Sequence, residues 1–517
     1  MTQRAPLLIL ALAIGCGEDP PPASGTTTGA EPGSTTAATT VVVPGTSTGD
    51  VADDSTSGGE SSGGSTTTGA DPCAESPEPG RPANWNRYGL DNDNSRFNAL
   101  ESQITAANVH CLQSRWSLDD LVGVTSTPAV VDDVVYFGEW DGEVHALEAA
   151  DGSVVWTANV GAQVNDSPLV EEARVYVGDA EGFVHALDRG TGEIQWSVEL
   201  DAHTAAGIYS SPVLADGVLV IGVSSVELAT ALDDYTFRGS IVGLNPDTGE
   251  ELWRFYTADN TPSSGAGASI WSSAAVDEAR GWIYIGSGNA YEEPAGPLSD
   301  SVIALEAATG ELQWSTQFTA DDVFTIFGPA ANGADSDVGA APNLFTTRDM
   351  RDLVGVGDKA GYYRALDRDT GDIVWMNEVG PGSPLGGIMT SAAVADGVIY
   401  VSSNEWAALY DFGNTANSAM TVAISADDGV TLWETPNDAP IFGALTVAGG
   451  VVYHGTVTGD LVALDTVDGA ELWRTEPGHG LGGGFSVVNG MVFAGHGFWF
   501  LIEPANPFGG FVAYGLP

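Results

Sequence analysis

From residue 126 onward the chain alternates short apolar runs with breaks rich in Gly, Asp and Thr, and this alternation itself repeats. The stretches "STPAVVDDVVYFGEWDGEVHALEAADGSVVW" (126–156) and "DSPLVEEARVYVGDAEGFVHALDRGTGEIQW" (166–196) follow one template. It reads small-Pro-apolar, a strand, a Gly, a second strand, Ala-Leu-acid, a Thr/Asp-Gly turn, and Trp. The runs are rich in Val, Ile, Tyr and Phe, and the turns "DGS", "TGE" and "DGA" supply residues that tolerate positive φ. Each copy therefore predicts a small antiparallel sheet.

Seven copies end at Trp156, Trp196, Trp253, Trp314, Trp375, Trp433 and Trp473. An eighth begins at "GGFSVVNGMVFAGHG" and reaches "GFVAYGLP" without its Trp, while Trp116, in "CLQSRW", stands ahead of the first copy. A ring explains both oddities, because an N-terminal strand ending at Trp116 completes the last blade and leaves no open edge. The predicted fold is all-β: one eight-bladed β-propeller over residues 81–517, with tryptophans docking between blades. Unrelated sandwich domains in tandem would not keep a Trp in register. Successive Trp residues lie 40, 40, 57, 61, 61, 58 and 40 positions apart, so blades three to six carry extra material. Insertions in a repeat gather on its binding face, which points to the mouth near those blades.

The ends have a different character. "MTQRAPLLILALAIGCGEDP" has one Arg, an apolar run from Pro6 to Ile14, then Gly15-Cys16. This is the layout of an export signal (1–16), too short to span a bilayer, with Cys16 as the expected lipid-bearing residue. Residues 17–80 are mostly Thr, Ser, Gly, Ala and acid, and are expected to be a flexible tether. If Cys16 carries lipid, the other two cysteines, Cys73 and Cys111, form an even pair in an oxidising compartment, and a disulfide between them staples the tether to the body. The expected location is the cell envelope or the outside of the cell, with membrane contact only through the lipid. There is no C-x-x-C-H, so no covalent haem is expected on this chain. Against 70 acidic residues stand 16 Lys and Arg, a formal charge of -54, which makes a nucleic-acid partner improbable.

Aligning the Gly that ends the second strand puts Gly138, Gly178, Gly222, Gly286, Gly357, Ser402, Gly455 and Gly495 in one ring. Beyond it, blades one, two and seven look like plain connectors, whereas blades three to six present Glu227, Asn289, Lys359 and Asn404. The segment between blades four and five, "NGADSDVGAAPNLF", brings Asp335 and Asp337, which face the same way on an extended backbone. Oxygen ligands from Glu227, Asn289 and Asp335 suit Ca2+, with Lys359 nearby to donate to an anionic or carbonyl-bearing ligand. Trp271 is not an interblade Trp, and its ring could lie flat against an aromatic cofactor. His145 and His185 share one strand position and read as structural; His203 opens the insertion-rich side.

With these residues in hand, the body (84–517) resembles the pyrroloquinoline-quinone dehydrogenases, most closely the polyvinyl-alcohol-dehydrogenase branch. The resemblance rests on "NWNRYGLDNDNSRFNALESQITAANV", "TFRGSIVGLNPDTGE", "WSSAAVDEARGWIYIGSGN", "DSDVGAAPNLF" and "GVGDKAGYYRALDRDTG". It implies oxidation of an alcohol, with secondary and polymeric alcohols as candidate substrates, using pyrroloquinoline quinone and Ca2+. By the same resemblance Glu227, Asn289 and Asp335 hold the metal, Asp335 is the catalytic base, and Trp271 lies under the quinone. Lys359 stands beside the quinone oxygens and Asp337 is a second acid; Asn404 is a further cofactor contact by its place in the frame. Two departures stand out. "LDDYTFRGS" lacks the adjacent cysteines common in relatives, and no haem segment is present, so electrons pass to an external acceptor such as a cytochrome c. A non-catalytic propeller lipoprotein acting as an envelope scaffold is the alternative; a secreted polysaccharide hydrolase using Asp335 and another carboxylate as an acid/base pair is another.

Overall fold

Each copy of the template folds into one sheet. In the computed structural model, which describes Cys73 and residues 83–232, 234–259, 265–327, 333–406, 416–498 and 508–517, eight sheets succeed one another along the chain. Blades one to seven cover 129–159, 169–199, 206–256, 275–317, 343–378, 393–437 and 446–475. The eighth combines Ser486–Val488, Met491–His496 and Gly509–Gly515 with Gln113–Leu121 from the start of the body. The chain divides into two units, Met1–Asp71 and Pro72–Pro517, and every described residue belongs to the second. The export signal (1–16), the lipid site at Cys16 and all of the tether (17–80) except Cys73 lie outside the described residues.

The core lies between the blades rather than inside any one of them. Ile241 of blade three packs with Ile283, Ile285 and Ile303 of blade four, and Val144 of blade one packs with Val175 and Leu187 of blade two. All of these side chains are fully buried. At about 1.5–3 kcal/mol for each large apolar side chain buried, a blade gains its stability from its neighbours.

Tryptophans tie successive blades together. Trp156, Trp196, Trp253 and Trp314 donate their indole N–H to the carbonyls of Arg189, Pro246, Ala307 and Arg368 in the next blade, at 2.8–3.2 Å. Each of those carbonyls precedes a turn glycine (Gly192, Gly249, Gly310 or Gly371) with φ of 71–74°. Only glycine takes that conformation freely, and a Cβ there would come within 2.4–2.8 Å of the indole.

Closure of the ring uses the N-terminal strand, with a change of extent. Gln113–Leu121 pairs antiparallel with Gly509–Gly515, so Trp116 sits within the strand and not at its end. Its indole lies over Gly152 of blade one, as the other indoles lie over theirs. Trp473 of blade seven meets a different neighbour, because the outer strand of blade eight is not joined to the third by a turn. It meets Tyr514 edge-on at 5.3 Å and shares a core cluster with Cys111 and Leu112. Cys73 and Cys111 form a disulfide beside that cluster.

An irregular strap, residues 85–98, runs along the inner strands. Trp85 exchanges backbone hydrogen bonds with Val130 of blade one, and the carbonyls of Asn86, Asn92, Asp93, Ser95 and Arg96 accept from Val170, Val276, Leu344, Val394 and Val447 of blades two, four, five, six and seven. Asn98 Nδ2 then donates to Val487 O of blade eight. Arg96 is fully buried and donates to the carbonyls of Leu445, Tyr88 and Phe485 and to the Thr446 hydroxyl. Guanidinium donors spread over carbonyls of two adjacent blades lock the strap at that seam.

The positions read as plain connectors in blades one and two do more than turn the chain. Glu139 Oε2 lies 2.8 Å from His145 Nε2, and Asp179 Oδ2 lies 3.1 Å from His185 Nε2, all four side chains being buried. The acid follows the strand-ending glycine and the histidine stands six residues on. These pairs brace the turn from within its own blade.

Candidate functional site

Blades four and five meet at a tight crossing built on the sequence "GSGN". Strand Trp282–Gly286 ends at Gly286, and the connecting segment 335–341 runs directly over it. A Cβ on Gly286 would stand 2.1 Å from Val338 O, and one on Gly339 would enter the Trp271 ring at 1.7 Å, so glycine is required at both by close approach. Backbone hydrogen bonds fix the crossing: Val338 N–H to Ser287 O at 3.0 Å, and Lys359 N–H to Asp337 O at 3.0 Å.

This crossing brings Asp335, Asp337, Lys359, Asn289 and Trp271 together. Lys359 Nζ lies 2.9 Å from Asp335 Oδ1 and 2.7 Å from Asp337 Oδ2, and 5.5 Å from the centre of the Trp271 ring. Asp337 Oδ1 accepts the Asn289 backbone N–H at 2.6 Å, so the second acid is held from both sides. Both amide hydrogens of Asn289 go to carbonyls, of Ala290 at 2.5 Å and Phe324 at 2.8 Å, which turns its Oδ1 to the other side as an available acceptor. Asn289, Trp271, Asp337, Tyr291, Ser225 and Ser269 line a cavity of about 40 Å³.

Glu227 lies in the same region with its oxygens engaged. They accept the N–H groups of Thr236 and Phe237 at 2.9–3.2 Å, and His203 Nε2 is 3.3 Å from Oε1. Asn404 is directed elsewhere: its Nδ2 donates to Ile441 O at 2.9 Å and its Oδ1 accepts from Ile441 N at 2.8 Å. It joins blade six to blade seven and has no bond to the Lys359 group.

Three residues of the cluster carry no sequence signal. Asp322, buried, accepts the N–H groups of Asp335 at 3.3 Å and Ser336 at 2.7 Å. Asp300 is fully buried, and neither of its carboxylate oxygens has a hydrogen-bond partner among the described residues. Tyr291, from the turn after Asn289, hydrogen-bonds Ser269 Oγ at 2.5 Å.

The charge balance is acidic. Burial pushes Asp335 up to about 7, against the pull of Lys359 and reinforced by Asp337. Burial also lifts Asp300 well above the carboxylate range, with Asp337 adding to it. For Lys359 burial alone would drive the ammonium down, but Asp335 and Asp337 reverse this and hold it above the ordinary lysine value. One shared ammonium cannot neutralise both aspartates, and the charge of Asp337 adds to the rise at Asp335. Its backbone has φ 54°, a conformation that costs a non-glycine residue about 1 kcal/mol or more.

Oxygen donors, the Lys359 ammonium and the Trp271 face form a buried polar site. Two family profiles match the chain: outer membrane protein assembly factor BamB over residues 102–254 and 359–498, and the β-propeller domain of glucose/ethanol/alcohol dehydrogenase over 199–381. The first profile covers more than half of the chain, and the chain belongs to this family of quinoprotein-type propellers. Among curated relatives it is similar to polyvinylalcohol dehydrogenases. This quinoprotein propeller is 30% identical over 428 residues to a polyvinylalcohol dehydrogenase of Pseudomonas sp., covering 73% of this chain and 65% of the relative. A second polyvinylalcohol dehydrogenase, of Sphingopyxis sp., is 28% identical over 381 residues, 65% of this chain and 57% of its own length. The chain thus spans less than two thirds of the length of these relatives. Among solved structures, the quinohemoprotein alcohol dehydrogenase of Comamonas testosteroni superposes with a TM-score of 0.70 at 21% identity, over 84% of this chain and 80% of that one. BamB of Moraxella catarrhalis gives 0.55 at 16% identity, over 78% and 99%. At such identities the likeness is one of fold.

Proposed function

We propose that this quinoprotein propeller oxidises an alcohol, secondary or polymeric, using pyrroloquinoline quinone and Ca2+, and passes the electrons to a separate acceptor such as a cytochrome c. One observation carries the reading: a buried ammonium, Lys359, shared by Asp335 and Asp337 beside Trp271 and Asn289. The donor chemistry fits the two groups. Ca2+ takes hard oxygen ligands, which Asn289 Oδ1, Glu227 and Asp335 offer, and an anionic quinone suits the Trp271 face beside a cation. A space of about 40 Å³ admits an ion or a water, so the ring enters only if side chains lining it, such as Tyr291 and Leu228, move aside.

When bound, the quinone would supply the redox chemistry, accepting two electrons and the carbon-bound hydrogen while the hydroxyl proton leaves to a base of the protein, so that the alcohol becomes a carbonyl. The chain's own residues do the rest. Asp335, more basic than an exposed aspartate, removes the hydroxyl proton. Asp337 holds Lys359 and the Asn289 backbone in place, and Lys359 offers its protons to the carbonyl-bearing ligand. The export-type residues 1–16, Cys16 and the acidic composition support an envelope or extracellular location with a lipid anchor.

A propeller scaffold is the second reading, favoured by the match to the BamB profile. A scaffold has no use for a buried lysine between two aspartates. The deciding experiment mixes purified protein with the quinone and Ca2+, removes free cofactor, and follows the retained chromophore while primary, secondary and polymeric alcohols are offered with an artificial acceptor. Retention and bleaching by an alcohol are expected. If no quinone is retained in excess Ca2+, the scaffold reading replaces this one.

A further inference from the structure

Asp335 holds a left-handed backbone, which aspartate adopts at some cost, and its peptide N–H and that of the next residue are gripped from outside its own segment. That grip comes from Asp322, which arrives from the outer strand of blade four. The N–H groups of Asp335 and Ser336 converge on its two oxygens, Oδ1 at 3.3 Å and Oδ2 at 2.7 Å. Successive N–H groups flanking a positive-φ residue form a concave anion seat, and here the anion is a side chain of the same protein.

The backbone around Asp322 also reaches the other half of the site. Asp322 O accepts the Ala290 N–H at 3.3 Å, and Phe324 N–H donates to Ala290 O at 3.0 Å. Two residues beyond Asp322, Phe324 O takes the Asn289 amide hydrogen that turns Oδ1 toward the site. One buried carboxylate therefore anchors the segment on which both the proposed base and a proposed metal ligand depend. We infer that Asp322 is a positioning residue for Asp335 and, through residues 322–324, for Asn289. In this role it acts through Asp335 and Asn289.

This inference rests on the proposed alcohol oxidation for its catalytic consequence but not for its structural one, and two measurements separate them. The first uses the full chain loaded with quinone and Ca2+. Asp322→Ala is expected to lower kcat at least tenfold with KM little changed, and to weaken Ca2+ binding measured calorimetrically on quinone-free protein. Asp322→Asn, which keeps one acceptor oxygen, falls between. Unchanged kcat and unchanged Ca2+ affinity in Asp322→Ala would overturn the inference. The second needs no cofactor and holds even if the wild type retains none. Thermal unfolding compares the loss from Asp322→Ala in the natural background with the loss in an Asp335→Gly background, where glycine adopts the left-handed backbone without support. A clearly smaller loss in the glycine background is expected, since coupled residues are not additive. Equal losses would mean that Asp322 does not hold the Asp335 backbone, and the inference falls whatever the protein catalyses.

Discussion

Trp116 donates its indole N–H to the carbonyl of Ala149 at 2.9 Å, so a residue from the start of the folded body occupies in blade one the seat that blades two to seven offer to their predecessors. Closure by Trp116 and its strand makes the first prediction. Trp116→Ala should destabilise the body by about 3–5 kcal/mol, as expected for a tryptophan removed from a packed seat. Gly152→Val should be comparably harmful, since a Cβ would stand 2.6 Å from the indole. Trp473→Ala, at the blade that offers no turn, should cost clearly less. Chemical denaturation of the three variants checks the order.

The ammonium between the two aspartates makes a second. Lys359→Met leaves Asp335 and Asp337 buried without their cation, and stranding one partner of a buried pair costs about 3–5 kcal/mol. Asp335→Asn should instead fold and bind quinone but lose turnover, because an amide accepts a hydrogen bond and cannot take a proton. Melting curves and single-turnover assays distinguish the two. A Lys359→Met variant as stable as the wild type would show that the pair is not ionised.

Glu227 is expected to matter for the metal. Glu227→Gln should weaken Ca2+ retention about tenfold or more, through loss of a carboxylate from a hard-oxygen site. His203→Ala, which removes only a neighbour at 3.3 Å, should have a small effect. Calorimetric titration with Ca2+ reads both.

Acid sensitivity supplies a fourth. His454 is fully buried with neither ring nitrogen paired among the described residues, and burial, followed by Arg474, pushes it down from 6.5 to about 3. Between those values the unfolded chain binds a proton that the folded one refuses. Stability is therefore lost as pH falls through that window, by up to about 1.4 kcal/mol per pH unit from this group. His454→Phe should melt higher than the wild type at pH 4–5 and gain little at pH 7.

What the sequence reveals follows from what repeats. The blade count, the strand that closes the ring and the register of the tryptophans are legible because apolar spacing and a bulky ring recur in phase. Asp335, Asp337 and Lys359 stand out because they interrupt that pattern. Asp322 and Asp300 do not, since one more acid on a chain with 70 carries no information until burial is known. Asn404 shows the opposite failure: its place in the frame matches that of Lys359, two residues past the strand-ending position, yet its amide is taken by the backbone of Ile441. Frame position fixes where a side chain starts, and the neighbouring loop decides where it ends.

The segment from Trp85 to Asn98 has a consequence for the birth of the molecule. It leaves the ribosome before any sheet exists, yet its hydrogen-bonding partners range from Val130 to Val487. Sheets can assemble in order as they emerge, each waiting only for the next, but this cord cannot be laid until nearly the whole chain is available. What is synthesised first is thus set in place last. A chain halted short of its eighth sheet would carry its hub lacing loose, with the buried guanidinium of Arg96 still in water.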